Sequence, residues 1–460
     1  MDKLLKNRPL LLILLFIAPV AVYFKSVGFD FIPSWDDSEY VVDNIYIRGF
    51  SAENLGVIFL KPFFSNYAPL HLLSYSLDFA IWGLDPKGYH LANVIIHATN
   101  GVLLFFVLLR LTRSSSLALL GAALFALHPL NVENVAWVAE RKTLLAALFT
   151  FSSMIFYFDY REKKRLGLYA LSLALFTAAL LSKSTAVMLP AVFLAYELFL
   201  SPDRKFRHLV PALLLSGLFS LIAIYTHPEA ASDGNNLFTM EFLLHSVYPT
   251  MMPVFWKYIL MTALPINLSG FYDTALYDSF LNPVVLVSTL GLAAVSVLAF
   301  WKGSPLVRFF YAWFWLWLLP TSNIIPLPVY YADRYMYLSA IGLFILFGLG
   351  MRKAATNFRL EKAATIAAVL IVLALALLAF SRQNVWRNEV AFWEDAARKS
   401  PMQERVRLNL GYAYEMRGRY DEAEREYREC IRIYPNPKAI SNLEMLIQKK
   451  EFMKRSAGGE

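Results

Sequence analysis

Long apolar runs, separated by short polar segments, constrain the fold of this chain more than any other feature. The 460 residues are 58% hydrophobic and only 17% charged, whereas soluble domains average about 25% charged residues. Apolar runs of about 17–25 residues are typical of helices that cross a membrane. The sequence therefore predicts an all-α, multi-pass membrane protein with eleven transmembrane helices. The predicted spans are 9–27, 89–111, 115–128, 142–160, 166–182, 185–200, 209–226, 281–301, 305–320, 336–351 and 362–380.

The basic residues give the expected orientation. A net charge of +8 could indicate a nucleic-acid partner, but the lysines and arginines gather between the apolar runs. Cytoplasmic loops of membrane proteins carry such an excess of positive charge. We therefore expect no nucleic-acid partner, a cytoplasmic N-terminus and an extracytoplasmic C-terminus in the cell (inner) membrane. The clusters are Lys3/Lys6/Arg8, Arg110/Arg113, Arg161/Lys163/Lys164/Arg165, Arg204/Lys205/Arg207, Lys302/Arg308 and Arg352/Lys353/Arg359/Lys362.

Two segments outside these spans need separate interpretations. The apolar segment 245–268 would reverse the orientation of the later basic clusters if it crossed the membrane, and its three prolines limit its helices. We predict that it is re-entrant or interfacial. The first outer loop, 28–88, is too long for a plain connection. We expect its amphipathic stretches, 52–60 and 71–82, to lie as helices along the membrane surface.

From residue 381 onward the chain is polar, charged and helix-prone. Six of its residues fall at the spacing of one tetratricopeptide unit, a helix pair of about 34 residues that stacks on similar pairs. About one and a half repeats are too few for a long solenoid. We therefore expect 381–460 to form a short outer repeat domain that leans on the membrane domain, 1–380, or binds a protein partner. The matching residues are Leu410, Gly411, Tyr414, Ala423, Tyr427 and Pro435.

Two adjacent carboxylates, Asp36 and Asp37, follow the first predicted span. Charges beside hydrocarbon are expensive and usually mark a pathway or a reactive site. A carboxylate can act as a general base when it lies within hydrogen-bond reach of a hydroxyl proton. The two aspartates are therefore the candidate catalytic pair. The alternative is a solvated loop whose acids cap a helix that begins near Ser38.

A second motif extends from His128 to Lys142, at the outer end of a predicted span. His128, Glu133 and Trp137 are candidates for orienting an acceptor or supporting the catalytic acid. Arg141 and Lys142 could hold phosphate oxygens, because arginine binds them with two parallel hydrogen bonds and lysine as a point charge. The alternative is an interfacial loop with snorkelling cations and an aromatic anchor.

Two further outer segments carry cations. Lys183 lies in a short connection between two spans, where either an anionic ligand or snorkelling would account for it. Asp333, Arg334 and Tyr335 belong to a tyrosine-rich run that suits a phosphate or a sugar ring. Tyrosines also gather in the aromatic belt of membrane proteins, and Asp333 could neutralise Arg334. Acids and several cations at one membrane face together suit an anionic, lipid-linked substrate.

Several common site motifs are missing from the sequence. We find no GxxxxGKS or GxGxxG phosphate-binding loop and no HExxH or CxxC metal motif. We therefore expect no dedicated metal site and no nucleotide-driven chemistry, although carboxylates leave a divalent cation open. The single cysteine, Cys430, excludes an intrachain disulfide framework.

These motifs resemble a known family. They are similar to those of the C-type glycosyltransferases (GT-C) that join a membrane domain to repeats, namely the transmembrane and tetratricopeptide-repeat-containing O-mannosyltransferases and their bacterial relatives. The resemblance covers nearly the whole chain and implies GT-C architecture. It depends on Trp35-Asp36-Asp37, Ala126-Leu127-His128-Pro129, Val132-Glu133, the run 135–142, Ser182-Lys183 and the run 332–338.

The resemblance implies an inverting hexosyltransferase. Its donor would be a mannose-like sugar on polyprenyl (or dolichyl) phosphate in the outer leaflet, and its acceptor a hydroxyl, often of a protein serine or threonine. Asp36 is then the first choice for the general base, with Asp37 orienting the acceptor or sharing the role. The cations implied for the departing lipid phosphate are Arg141, Lys142, Lys183 and Arg334.

Three positions depart from the bacterial pattern of that family, namely Asn131, Thr143 and Ser339. They bear on acceptor specificity and leave the aspartate pair intact. Two other functions stay open. A membrane scaffold whose repeat tail recruits a partner would leave the many spans and the outward cations unexplained. A transporter of lipid-linked sugars would need polar groups near the middle of the membrane, between repeated halves.

Overall fold

The structure is a computed structural model that describes residues 8–64, 66–226, 240–325, 327 and 329–457. Every regular element in these ranges is a helix, and their only β-type pairing is an isolated bridge between Phe63 and Asn66. The predicted all-α class is confirmed. Two of the expected basic residues, Lys3 and Lys6, and the part 227–239 of an outer segment lie outside the described residues.

The described ranges contain fifteen α-helices of five residues or more before the repeat region, and we number them in chain order. They are α1 (Arg8–Tyr23), α2 (Ala52–Leu60), α3 (Pro69–Trp82), α4 (Pro86–Thr112), α5 (Ser115–Leu127), α6 (Val132–Ala136), α7 (Arg141–Lys163), α8 (Leu166–Leu180), α9 (Leu189–Phe199), α10 (Val210–Thr226), α11 (Tyr248–Ala263), α12 (Pro283–Trp301), α13 (Pro305–Leu318), α14 (Met336–Phe358) and α15 (Glu361–Arg382). Shorter helical turns include Pro33–Val42 and Val138–Glu140.

Local sequence explains where these helices begin. Proline occupies the first position of α3, α4, α12 and α13, where its missing N–H would have no partner within the helix. The side chain of Asn282 accepts a hydrogen bond from the first turn of α12, and that of Ser304 does the same for α13. Such caps satisfy backbone N–H groups that the helix itself leaves open.

The membrane spans follow the predicted pattern. Seven helices in the described ranges are long and apolar enough to cross a membrane, and each overlaps a predicted span: Pro9–Gly28, Pro86–Thr112, Val138–Lys163, Phe206–Thr226, Pro283–Trp301, Asp333–Phe358 and Glu361–Trp386. The other four predicted spans are helical but shorter or, at Ser115–Leu127 with Pro129–Ala136, bent by 49°. The chain is therefore a multi-pass membrane protein, and the number of crossings stays a prediction.

The basic clusters of three loops share one end of the helix bundle. Arg110 at the end of α4 pairs with Asp159 near the end of α7 at 2.5 Å. Arg161, two residues further along α7, pairs with Glu197 at the end of α9. We call this the basic end. A cytoplasmic position for it stays a prediction from the charge bias.

Helix α11, which contains most of the segment 245–268, lies across the opposite end. Near its start, the Asn323 amide contacts Met251 Sδ at 3.4 Å. Near its finish, His128 Nε2 lies 3.1 Å from the carbonyl oxygen of Thr262. Asn323 follows α13 and His128 follows α5, and both helices begin beside basic clusters and end away from them. These contacts fit a re-entrant or interfacial segment, and its relation to a membrane stays a prediction.

The C-terminal region forms stacked helices. These are α16 (Glu389–Lys399), α17 (Glu404–Met416), α18 (Tyr420–Ile433) and α19 (Pro437–Ala457). Gly411 of α17 permits close packing, because a Cβ there would lie 2.6 Å from the ring of Tyr427 on α18. The helix pair α17–α18 is the predicted tetratricopeptide unit, flanked by one helix on each side.

The repeat region packs on the segment that carries the two aspartates. Trp393 Nε1 donates to Ser34 Oγ at 2.7 Å, and the Ser34 N–H donates to Glu389 at 2.9 Å. A third contact joins Arg417 to Asp30 at 2.9 Å. Trp393 itself is completely buried. The expectation that the tail leans on the membrane domain is confirmed by these contacts.

Two glycines of α14 give a matched test of the helix packing. An Ala at Gly342 would place its Cβ 2.4 Å from the carbonyl oxygen of Phe310 on α13, whereas a Cβ at Gly350 would meet no atom within 4 Å. We expect Gly342→Ala to lower the free energy of unfolding by about 1–3 kcal/mol, the usual effect of overpacking. We expect Gly350→Ala to be neutral or slightly stabilising. Thermal unfolding of the purified variants measures both, and equal midpoints would contradict the close approach of α13 and α14.

Candidate active site

A cavity of about 330 Å³ opens at the end of the bundle opposite the basic end. Six of the eleven predicted site residues line it, and the other five do not. Its charged lining residues are Asp36, Glu140, Lys142, Lys183, Arg334 and Arg405, and its aromatic ones are Trp35, Tyr40, Phe64, Tyr67, Trp137, Phe219 and Tyr335.

Asp36 presents its carboxylate to this cavity. It lies in the wide helical turn Pro33–Val42, and its side chain is 25% exposed. Burial raises the pKa of Asp36 to about 6, while the positive charges of Lys142 and Arg334 oppose the rise. Lys142 Nζ lies 4.0 Å from Asp36 Oδ2. The carboxylate is therefore mainly ionised at neutral pH and able to accept a proton from a group in the cavity.

Asp37 points away from the cavity and holds two backbone segments together. It is 1% exposed. Its Oδ2 accepts the Ile32 N–H at 2.8 Å and its Oδ1 accepts the Ala139 N–H at 2.9 Å. Burial raises the pKa of Asp37 to about 7, and these two N–H donors oppose the rise. Asp37 therefore has a structural role. The alternative that the acids cap a helix beginning near Ser38 is wrong about the start of the helical turn, which is Pro33.

Glu140 is the central carboxylate of the cavity wall. It is buried, and three cations surround it: Lys183 at 3.1 Å, Lys142 at 3.7 Å and Arg334 at 3.8 Å. The Thr143 hydroxyl also donates to Glu140 and accepts from Lys183 Nζ, the latter at 2.7 Å. One carboxylate therefore gathers cations from three separate segments.

Arg334 is held by a second buried acid, Glu133. Its Nη1 lies 2.6 Å from Glu133 Oε1, and its backbone N–H donates to Glu133 Oε2 at 3.0 Å. The guanidinium also lies over two rings of the lining, 5.6 Å from that of Trp137 and 5.0 Å from that of Tyr335. The predicted residues Glu133, Trp137 and Tyr335 therefore fix the orientation of Arg334 towards the cavity.

Arg141 does not reach the cavity, which is a correction to its predicted place beside a lipid phosphate. Its guanidinium is 1% exposed and pairs with Asp78. It also donates to Asn93 Oδ1 and to the Tyr89 carbonyl oxygen, both at 2.8 Å, and lies 4.6 Å from the Tyr75 ring. These contacts tie α7 to α3 and α4. The sequence could not distinguish Arg141 from its neighbour Lys142, because only the helix phase decides which side chain faces the cavity.

His128 and Asp333 also lie outside the cavity. His128 Nδ1 accepts the Leu130 N–H at 3.2 Å, so both ring nitrogens of this histidine have backbone partners. Asp333 pairs with Arg382 at 2.7 Å and accepts from the Tyr272 hydroxyl. Asp333 therefore does not neutralise Arg334, which was one alternative, and it instead joins α15 to the loop before α14.

No role was predicted for two of the charged lining residues, Glu140 and Arg405. A signal for Glu140 was available, since a carboxylate beside Arg141 and Lys142 at a membrane boundary needs partners. Arg405 gave no such signal. It lies in a repeat helix, where charged surface residues are usual.

The site shows no set of acidic, histidine or cysteine ligands for a metal ion. Among the residues that the structure describes, no three such side chains are grouped as a metal site would require. A divalent cation at this site therefore stays an open alternative, as in the sequence analysis.

The central position of Glu140 leads to a stability prediction. We expect Glu140→Gln to lower the free energy of unfolding by about 3–5 kcal/mol, because three cations would lose a buried counter-charge. Thermal unfolding in detergent micelles, followed by tryptophan fluorescence, measures the change. Glu162→Gln is the matched control, since Glu162 is 71% exposed at the basic end. An unfolding midpoint of Glu140→Gln equal to that of the control would contradict the described cluster.

Two family models match the chain. The model described as dolichyl-phosphate-mannose-protein mannosyltransferase matches residues 66–227. The tetratricopeptide repeat model matches residues 405–437, which cover most of α17 and α18.

Curated relatives match most of this chain. The protein O-mannosyl-transferase F38B6.6 of Caenorhabditis elegans is 24% identical over 93% of this chain and 63% of its own length. The human protein O-mannosyl-transferase TMTC3 is 22% identical over 90% of this chain and 50% of its own length. The chain thus spans between half and two thirds of these relatives. Among solved structures, ArnT from Cupriavidus metallidurans bound to undecaprenyl phosphate covers 93% of this chain and 76% of its own, at 15% identity and a TM-score of 0.44. The predicted resemblance to the transmembrane and tetratricopeptide-repeat-containing O-mannosyl-transferases is confirmed over nine-tenths of this chain.

Proposed function

We propose that the protein is an inverting glycosyltransferase that moves a mannose-like hexose from a polyprenyl phosphate to a hydroxyl. The proposed acceptor hydroxyl is that of a serine or threonine of a protein. The reaction takes place at the outer face of the cell (inner) membrane. One observation carries the proposal: a single cavity holds an ionised carboxylate, Asp36, and three cations around Glu140. The names of the curated relatives support the reaction class.

Asp36 is the general base of the proposed reaction. The acceptor oxygen attacks the anomeric carbon while the bond from that carbon to the phosphate oxygen breaks. The hydroxyl proton passes to Asp36, and the bonding electrons leave with the phosphate. Attack from the face opposite the leaving group inverts the anomeric carbon. The cavity position of Asp36 supports this choice over Asp37, whose two oxygens are occupied by backbone N–H groups.

Lys142, Lys183 and Arg334 receive the lipid phosphate as it gains negative charge. Cations held in place before the reaction stabilise developing charge without the cost of reorganisation. Glu140 and Glu133 keep these cations in position, at 3.1 Å for Lys183 and 2.6 Å for Arg334. Asp37, by joining Ile32 to Ala139, sets the distance between the base and this cluster.

Apolar residues beside the cations suit a donor with a hydrocarbon tail. Leu180 at the end of α8 and Phe219 and Ile222 of α10 line the same cavity as Lys183. A phosphate at the cluster would therefore have an apolar surface next to it, towards the membrane helices. Placement of this end of the bundle outside the cell follows from the charge bias of the loops.

The direct test replaces the proposed base. We expect Asp36→Asn to reduce transfer from a polyprenyl-phosphate mannose donor to a threonine peptide by about 10²–10⁴-fold, the usual contribution of a general base. Transfer by the purified protein in nanodiscs is measured by mass spectrometry of the peptide. The midpoint of thermal unfolding should stay near that of the parent protein, because asparagine has nearly the size of aspartate and Lys142, which lies 4.0 Å from Asp36, keeps Glu140 as a partner at 3.7 Å.

Glu39→Gln is the control for this test. Glu39 belongs to the same helical turn but is exposed and does not line the cavity, so its variant should keep transfer within a few-fold. Full transfer by Asp36→Asn would contradict the assignment of the base. Sugar flux across vesicles without any glycosylated product would instead support a transporter, and partner recruitment unaffected by either variant, again without product, would support a scaffold.

A further inference from the structure

A second cavity, of about 480 Å³, lies between three membrane helices at the basic end of the bundle. Its lining comes from the first part of α5, the last part of α14 and the first half of α15. Helix α5 begins at Ser115, shortly after α4 ends beside Arg110, and this places the start of α5 at the basic end. We call this cavity the α5–α14–α15 groove.

Close packing of α5 on α14 forms the floor of the groove. A Cβ at Gly348 of α14 would lie 3.1 Å from the side chain of Leu117 and 3.3 Å from that of Leu120, both on α5. The wall on the other side is α15, whose lining residues fall between Glu361 and Leu373. That stretch of helix is about 18 Å long at the rise of an α-helix. The groove is therefore long, narrow and mainly apolar, with the dimensions of an acyl chain.

One end of the groove is charged. Arg352 and Glu361 are its two charged lining residues, and both are exposed. Within the described part of the chain, Arg352 forms no ion pair with Glu361 or with any other acid. Three more exposed cations, Lys353, Arg359 and Lys362, belong to the same short segment, which thus carries four cations and one carboxylate. This end of the groove is therefore suited to an anion.

The other acids of the basic end already have basic partners among the described residues. Asp159 lies 2.5 Å from Arg110, and Glu162 lies 3.9 Å from the same side chain. Glu197 pairs with Arg161. These acids therefore do not compensate the positive charge at the end of α14, and an anion from outside the protein would.

The groove is separate from the candidate active site. Helix α14 begins at Met336, next to Tyr335 of the active-site cavity, and Arg352 lies about 25 Å further along the same helix. Both α14 and α15 are long and apolar enough to cross a membrane, so the groove between them faces hydrocarbon along most of its length. Basic pockets between membrane helices are typical binding sites for anionic lipid headgroups.

We propose that the α5–α14–α15 groove binds an anionic phospholipid, with the phosphate at Arg352 and an acyl chain along the apolar floor. The guanidinium donates two parallel hydrogen bonds to phosphate oxygens, and the chain fills space that the three helices leave open. The bound lipid joins α15 to α5 and α14 at the end of the bundle away from the active site. This inference does not depend on the proposed glycosyl transfer.

The test measures phospholipid binding to the purified protein by native mass spectrometry from a neutral detergent. Phosphatidylglycerol and phosphatidylcholine with identical acyl chains are titrated separately. The parent protein should bind phosphatidylglycerol about fivefold more tightly, the size of the attraction between one basic side chain and an anionic lipid surface. Arg352→Gln should lose most of this preference, and Arg352→Lys should keep most of it because the positive charge remains.

Matched variants separate the groove from the general charge of the surface. Lys353→Gln removes the same charge from an exposed neighbour that does not line the groove, and it should keep the preference of the parent protein. Ala368→Phe fills the groove and should weaken the binding of both lipids, whereas Ala363→Phe, at an exposed residue outside the lining, should weaken neither.

Three results would overturn the inference. They are equal binding of the two lipids by the parent protein, an equal loss of preference in Lys353→Gln and Arg352→Gln, and a polyprenyl phosphate that displaces phosphatidylglycerol from the parent protein but not from Ala368→Phe. Glycosyl transfer, measured separately on the same variants, should stay near that of the parent protein in Arg352→Gln.

Discussion

The buried carboxylate of Glu140 is the interaction on which the rest of the site depends. Lys142, Lys183 and Arg334 come from three separate segments and would repel one another without it. Charges removed from water are tolerated only when they are paired and hydrogen-bonded. The cost of gathering them at one end of an otherwise apolar bundle is large. Apolar packing would join these segments at a lower cost in free energy. We therefore propose that the charged cluster binds an anionic ligand.

The sequence predicted the helices of this chain well and the contacts of its charged residues less well. Each of the eleven segments predicted from apolar length is helical in the structure, because the membrane imposes an apolar length on any helix that crosses it. They could not show that Asp37 turns inward onto Ile32 and Ala139 while Asp36 faces the cavity. Asp36 and Asp37 are the same residue type in the same motif. Only the packing of the backbone decides which of the two carboxylates faces the cavity.

The dependence on tertiary packing also explains why other charged residues have different partners in the structure from those predicted. Arg141 was grouped with Lys142 by type and position, yet its guanidinium is enclosed by Asp78, Asn93 and Tyr89. Asp333 pairs with Arg382, about fifty residues further along the chain, and not with the arginine beside it. Ion pairs between distant segments depend on tertiary packing, which charge and spacing in one sequence do not encode. The contribution of Arg405 was hidden for that reason too.

The positions of the cavity, the cations and Asp36 lead to the proposal that a lipid phosphate binds at the Glu140 cluster. Cryo-electron microscopy of the protein in nanodiscs with a polyprenyl phosphate tests it most directly. The account predicts phosphate density within about 3 Å of the side-chain nitrogens of Lys183 and Arg334, the distance of a charge-assisted hydrogen bond. Phosphate density at the basic end of the bundle, or at a site away from Glu140, would contradict it.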